Sequence, residues 1–89
     1  MTTPPPVPAS PRVLLTGGTR GIGAGVLDAF VAAGAHVVYA AREESDATQP
    51  ARRSGRAHFV RADLVDPEAP GALFAAAHEQ LGGVDVLVH

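Results

Sequence analysis

Eight residues, Thr16-Gly17-Gly18-Thr19-Arg20-Gly21-Ile22-Gly23, combine the types and spacing that can hold a phosphate. They follow a short apolar segment, Val13-Leu14-Leu15, and lead into a helical pattern that begins at Ile22. A strand, a glycine turn and a helix start present bare backbone N–H groups to an anion, and the helix N-terminus adds a favourable partial charge. Gly17 permits the turn out of the strand, while Gly21 and Gly23 let backbone approach a bound phosphate and let helix pack closely on strand. The spacing excludes two other nucleotide loops. A P-loop needs Gly-Lys-Ser/Thr at the helix start, and Gly23-Ala24-Gly25 contains no Lys. The G-x-G-x-x-G fingerprint read from Gly21 would place Val26 at its last glycine. What fits is Thr-Gly-x-x-x-Gly-Ile-Gly, a turn lengthened by two residues between its first and second glycines.

Regular elements must hold that turn in place. Val13 to Thr16 predicts an apolar strand, and Ile22 to Ala33 a helix with Ile22, Val26, Phe30 and Ala33 on its apolar face and Asp28 outside. Gly34 ends that helix. His36 to Ala40 is nearly continuous in apolar character, as expected of a parallel strand covered on both faces. The polar run from Glu43 to Gly55 is broken by Pro50 and predicts a loop with at most one helical turn. Ala57 to Arg61 is a weaker third strand. Asp66 is placed to cap a helix with Pro67 at its first position, although Pro70 then removes an N–H near the fourth. That helix would carry Leu73, Phe74, Ala77 and Leu81 inward and end at Gly82-Gly83, before a fourth strand from Val84 to Val88.

This order describes the first part of an α/β, doubly wound parallel sheet of Rossmann-like type. Right-handed crossovers set four strands in the order 3-2-1-4. The fourth strand would be an unpaired apolar edge, so the sheet reads as incomplete. Residues 12–89 form the sheet, and the Thr- and Pro-rich residues 1–11 read as a flexible, extended leader.

Composition narrows the function classes. Eighty-nine residues hold one small domain at most. The formal net charge is −2 and every one of the 7 Lys/Arg positions is Arg, a balance that gives no reason to expect nucleic acid or a membrane surface as partner. Arg52, Arg53 and Arg56 read as a solvated loop. The absence of Cys excludes disulfides and thiolate metal sites. His36, His58, His78 and His89 include no i, i+4 pair, so no metal is expected. No signal-peptide pattern or membrane-length apolar run is present, which makes a soluble cytoplasmic protein the default expectation.

Residues 13–88 resemble the N-terminal, cofactor-binding half of a short-chain dehydrogenase/reductase. The resemblance rests on Thr16 to Gly23, the Ala33-Gly34-Ala35 joint, Asp63-Leu64 after the third strand, and Val84-Asp85-Val86-Leu87-Val88. Epimerase-like members carry the second glycine one position earlier, where this chain has Arg20, which favours the reductase-type branch. The resemblance implies that Gly17, Thr19, Gly21, Ile22 and Gly23 line the dinucleotide pyrophosphate and its approach. It also implies that Asp63 accepts from the adenine amino group, with Leu64 beside it, although Asp63 could instead simply close a turn. An NAD-preferring site has an acidic residue at the end of the second strand, but here that end reads Tyr39-Ala40-Ala41-Arg42. Arg42 offers charge-assisted, bidentate bonds to a 2′-phosphate, and Arg20 resembles the family's other basic position for the same group. The expected cofactor is therefore NADP(H) ahead of NAD(H). Glu43 and Glu44 are the counter-argument, since either could reach the ribose.

Catalysis in this family implies a Tyr whose pKa is lowered by a Lys four residues later, with a Ser that positions the substrate carbonyl. The chain has no Lys, and its one Tyr, Tyr39, has Glu43 at the Lys position and reads as a packing residue. Ser10, Ser45 and Ser54 lie in the leader or the loop. No catalytic residue is therefore assigned. The expectation is a piece of an NADP(H)-dependent oxidoreductase that moves hydride between nicotinamide and a carbonyl or alcohol, in a family whose intact members are often homo-oligomers. The alternatives are a non-catalytic NADP(H)-binding module and a non-functional truncated remnant.

Overall fold

A computed structural model describes residues 10–17 and 21–89. Most of the predicted leader, together with Gly18, Thr19 and Arg20, lies outside the described residues. The elements run β1 (Arg12–Thr16), α1 (Gly21–Ala32), β2 (His36–Ala41), a 3-10 turn (Asp46–Thr48), α2 (Gln49–Arg53), β3 (Ala57–Arg61), α3 (Ala69–Leu81) and β4 (Val86–Val88). The strands form a four-stranded sheet in the order β3-β2-β1-β4, all parallel, as the crossover rule anticipates. Thr16 stands opposite Ala40 and Ala41 opposite Arg61, so the C-terminal ends of β1, β2 and β3 lie along one rim.

Alternating side chains of the sheet feed two apolar layers. On one face Val13, Leu15, Val37 and Tyr39 pack with Leu27 and Val31 of α1 and Ala51 of α2. On the other, Leu14, Val38 and Ala40 pack with Leu73 and Ala77 of α3. Helices on both faces of a parallel sheet make a three-layer arrangement.

Four local expectations differ from the structure. Helix α1 buries Ala24, Leu27 and Val31, with Val26 and Phe30 flanking, whereas Ile22 is 88% exposed and Ala33 is exposed. The small Ala24, not the larger Ile22, starts the stripe against the sheet. Helix α3 begins at Ala69, two residues after the expected Pro67, which sets Pro70 in the first turn where its missing N–H costs nothing. Asp66 accepts from the Glu68 N–H at 2.9 Å and so closes the turn ahead of the helix instead of capping it. The inward stripe of α3 is Ala69, Leu73 and Ala77 at spacings of four, which leaves Phe74 46% exposed. The segment after β2 holds a 3-10 turn followed by a five-residue helix, more helix than the single turn expected, because Ser45 caps the first and Pro50 sits in the first turn of the second.

Strand β4 is confined to Val86–Val88, because Asp85 has a different task. Its carboxylate accepts from Arg12 Nε at 3.0 Å and Nη2 at 2.9 Å, and from the Arg12 backbone N–H at 2.9 Å. The Asp85 N–H returns a bond to the Arg12 carbonyl at 2.8 Å, which ties the start of β4 to the start of β1. The Arg12 side-chain hydrogen bonds, with its backbone N–H, hold the Asp85 carboxyl down at about 2. A carboxyl depressed in the folded state stabilises it above the unfolded pKa of about 3.9 and loses that contribution as pH falls toward about 2. Asp85→Asn should therefore lower the thermal midpoint at neutral pH and flatten its decline across this acid window. Parallel midpoint-against-pH curves for the two proteins would show that the pair contributes nothing.

Candidate functional site

The rim at the C-terminal ends of the strands is where an open parallel sheet binds ligands. At Gly17 the chain leaves β1 with φ of 78°, a left-handed conformation that an L side chain resists, and its N–H donates to the Ala40 carbonyl at 2.7 Å. Gly21 enters α1 with φ of 52°. Among the described residues, a Cβ built on either glycine meets no atom within 4 Å. No acidic side chain occupies the first turn of α1, which leaves the helix's positive end unopposed. Gly23 lies in that first turn, and Ile22 projects beside it, largely exposed. Thr19 and Arg20 lie outside the described residues.

Farther along the rim, Arg42 and Asp63 line one open cleft of about 520 Å³. Arg61, Ala62, Asp66, Glu68, Ala69 and Ala72 complete its walls. The Ala62 N–H donates to the Ala41 carbonyl at 3.0 Å, which extends the β2–β3 ladder to the cleft and fixes Arg42 beside it. Asp63 closes a turn after all, since its Oδ1 accepts from the Val65 N–H at 3.0 Å, yet the residue also faces the cleft. Leu64 follows at 42% exposure, within reach of the rim but not among the cleft walls.

Glu44 does not stand at the cleft. Its Oε2 accepts from the Tyr39 hydroxyl at 2.8 Å and lies 3.4 Å from Arg52 Nε, and its Oε1 accepts from the Ser45 N–H at 2.9 Å and from the Thr48 hydroxyl. Burial raises the Glu44 pKa, but these hydrogen bonds and the Arg52 charge outweigh it and leave the carboxyl below its ordinary range. Tyr39 is fully buried against Phe59, ring centroids 5.5 Å apart, and burial is the main reason its hydroxyl is pushed up to about 12. It is a packing residue, as its place in the second strand suggested. Arg52 is occupied by Glu44, and Arg56 donates from Nη2 to the Val31 carbonyl at 2.7 Å, so two of the three loop arginines have structural partners.

Sequence reasoning passed over Arg61. It is the last residue of β3, and its register partner, Ala41, directly precedes Arg42. Among the described residues no group of three or more His, Asp or Glu converges as a metal site would require. No helix among them is long and apolar enough to cross a membrane.

Comparison with known proteins agrees with this geometry. The family model described as short chain dehydrogenase matches residues 11–89. An uncharacterised oxidoreductase of Mycobacterium tuberculosis is 40% identical over 80 residues, covering 85% of this chain and 30% of the relative. Galactitol 2-dehydrogenase of Agrobacterium fabrum is 40% identical over 77 residues, with the same 85% and 30% coverage. Among solved structures, an actinorhodin polyketide ketoreductase with NADPH superposes with a TM-score of 0.79 at 33% identity, over 88% of this chain and 31% of that one. An NADH-dependent reductase complexed with NAD superposes with a TM-score of 0.77 at 29% identity, over 88% and 34%. The chain thus spans about 30% of the length of the curated relatives it matches. With its parallel sheet, its glycine turn and a family match that runs from residue 11 to residue 89, the chain belongs to the short chain dehydrogenase family.

Proposed function

We propose that this chain is the NADP(H)-binding portion of an oxidoreductase that moves hydride between nicotinamide and a carbonyl or alcohol. The observation that carries the cofactor choice is the pair of environments after β2. Arg42 lines the open cleft, while the nearby Glu44 carboxylate is committed to Tyr39, Thr48, Ser45 and Arg52. A guanidinium at that rim attracts a 2′-phosphate, and Glu44, one of the two carboxylates placed to reach the ribose hydroxyls, is turned into the α2 side of the fold. Similar solved structures include one with NADPH and one complexed with NAD, so the choice rests on these residues.

Two observations support a pyrophosphate at the glycine turn: Gly17 and Gly21 adopt positive φ, and a Cβ on either would meet no described atom within 4 Å. In this reading Arg20 joins Arg42 at the 2′-phosphate, and the α1 N-terminus and the glycine turn, with Thr19, hold the pyrophosphate. Ile22 flanks its approach, and Asp63 and Leu64 receive the adenine. The nicotinamide, when bound, supplies or accepts the hydride. Proton transfer to the substrate is assigned to no residue of this chain, because it has no Lys and its one Tyr is buried and hydrogen-bonded to Glu44.

Thermal unfolding with increasing NADPH or NADH tests the proposal, because a ligand that binds only the folded form stabilises it by RT ln(1 + [L]/Kd) and so raises the midpoint. NADPH should give the larger rise. No rise with either cofactor would defeat the binding reading, and a larger rise with NADH would defeat the choice of NADP(H).

A further inference from the structure

We propose that Arg61, together with Arg42, holds the 2′-phosphate of the cofactor, so that preference for the phosphorylated dinucleotide is shared between two adjacent strands. The inference rests on the NADP(H) reading above and adds a residue to it. Arg61 is the last residue of β3, its register partner Ala41 directly precedes Arg42, and both arginines line the same cleft. Both are exposed, and neither side chain has a hydrogen bond or ion pair among the described residues.

That lack of partners is informative because carboxylates are close at hand. Asp63, Asp66 and Glu68 line the same cleft, yet none forms an ion pair with either arginine. Asp63 Oδ1 and Asp66 Oδ1 instead accept backbone N–H groups of the turn before α3. Two guanidiniums that share one cleft are both favoured by an anion bound there, and a dianionic phosphate ester can accept from both. The other arginines with described side-chain bonds have settled partners: Arg12 holds Asp85, Arg52 meets Glu44, and Arg56 meets the Val31 carbonyl. Strand β3 lies two strand spacings, about 10 Å, from the glycine turn on β1. A dinucleotide whose pyrophosphate rests on that turn can place its adenosine ribose over this part of the rim.

Arg61 makes no described bond within the fold, so its removal should leave the unliganded protein's thermal midpoint unchanged. Calorimetric titration of wild type, Arg61→Ala, Arg61→Lys and Arg42→Ala with NADPH and NADH, at low and high salt, tests the assignment. Arg61→Ala should weaken NADPH by about tenfold with NADH unchanged, and Arg61→Lys should restore part of the loss. The wild-type preference for NADPH should shrink at high salt, since both cations are solvent-facing. An Arg61→Ala protein that binds NADPH as wild type does, or loses NADPH and NADH equally, would overturn the role of Arg61. If wild type keeps its NADPH preference in that case and Arg42→Ala abolishes it, the NADP(H) reading survives while this inference fails. A wild type with no preference for NADPH overturns both.

Discussion

Replacing Arg42 by Ala is expected to weaken NADPH binding by about ten- to a hundredfold while leaving NADH binding within a factor of two or so. The magnitude follows from the loss of charge-assisted hydrogen bonds to a phosphate, each worth roughly 1.5–3 kcal/mol when the partner is ionised. Exposure at the rim and the presence of Arg61 in the same cleft argue for the lower half of that range. NADH is the internal control, because it differs from NADPH only in lacking the 2′-phosphate. Arg42 makes no described side-chain bond to the rest of the protein, so the variant's unliganded stability should match wild type. Equal loss for both cofactors would move Arg42 from phosphate recognition to a general role in the cleft.

The largest expected effect on stability comes from Leu27→Ala. Leu27 is fully buried in α1, packed with the sheet residues of the first apolar layer. Truncating such a side chain removes its transfer energy and leaves a cavity, together about 2–5 kcal/mol. Small domains have total stabilities near the low end of about 5–15 kcal/mol, so this change alone could unfold a large share of the protein. Ile22→Ala on the same helix should cost less than about 0.5 kcal/mol, because that side chain is almost entirely exposed. Urea midpoints for the two variants compare the faces directly, provided that the slope of stability on urea stays constant. A greater loss at Ile22 than at Leu27 would mean that α1 is rotated from the arrangement described.

That contrast also shows where the sequence was legible. The strand order and the placing of the glycine turn followed from continuous apolar runs in β1 and β2, from the punctuation around them, and from crossover handedness, all of which are strong local signals. The facing of α1 did not, because Gly21 to Ala32 is apolar almost all round except for Asp28, and a helix without a polar face has no clear period to read. In α3 the same ambiguity arose at the neighbouring pair Leu73 and Phe74, and packing chose the smaller residue. Glu44 illustrates a different limit. Its attachment to Tyr39, Thr48 and Arg52 joins residues from a strand, a 3-10 turn and a short helix, and no local pattern signals it. Of the candidate site, Gly17, Gly21 and Gly23 are legible from the glycine spacing after β1, whereas Arg42, Asp63 and Leu64 rest on the family resemblance. Arg61 escaped notice because a charged residue closing a weak strand looks like ordinary solvent exposure until β2 and β3 are put in register.

The central claim is that this chain holds a dinucleotide and distinguishes it by its 2′-phosphate. The most direct test is the ratio of dissociation constants for NADH and NADPH on the unmodified protein, measured by calorimetry under one buffer condition. The account predicts a ratio clearly above one, on the order of tenfold or more for a phosphate held by paired arginines. A ratio at or below one, with measurable binding of NADH, would contradict it.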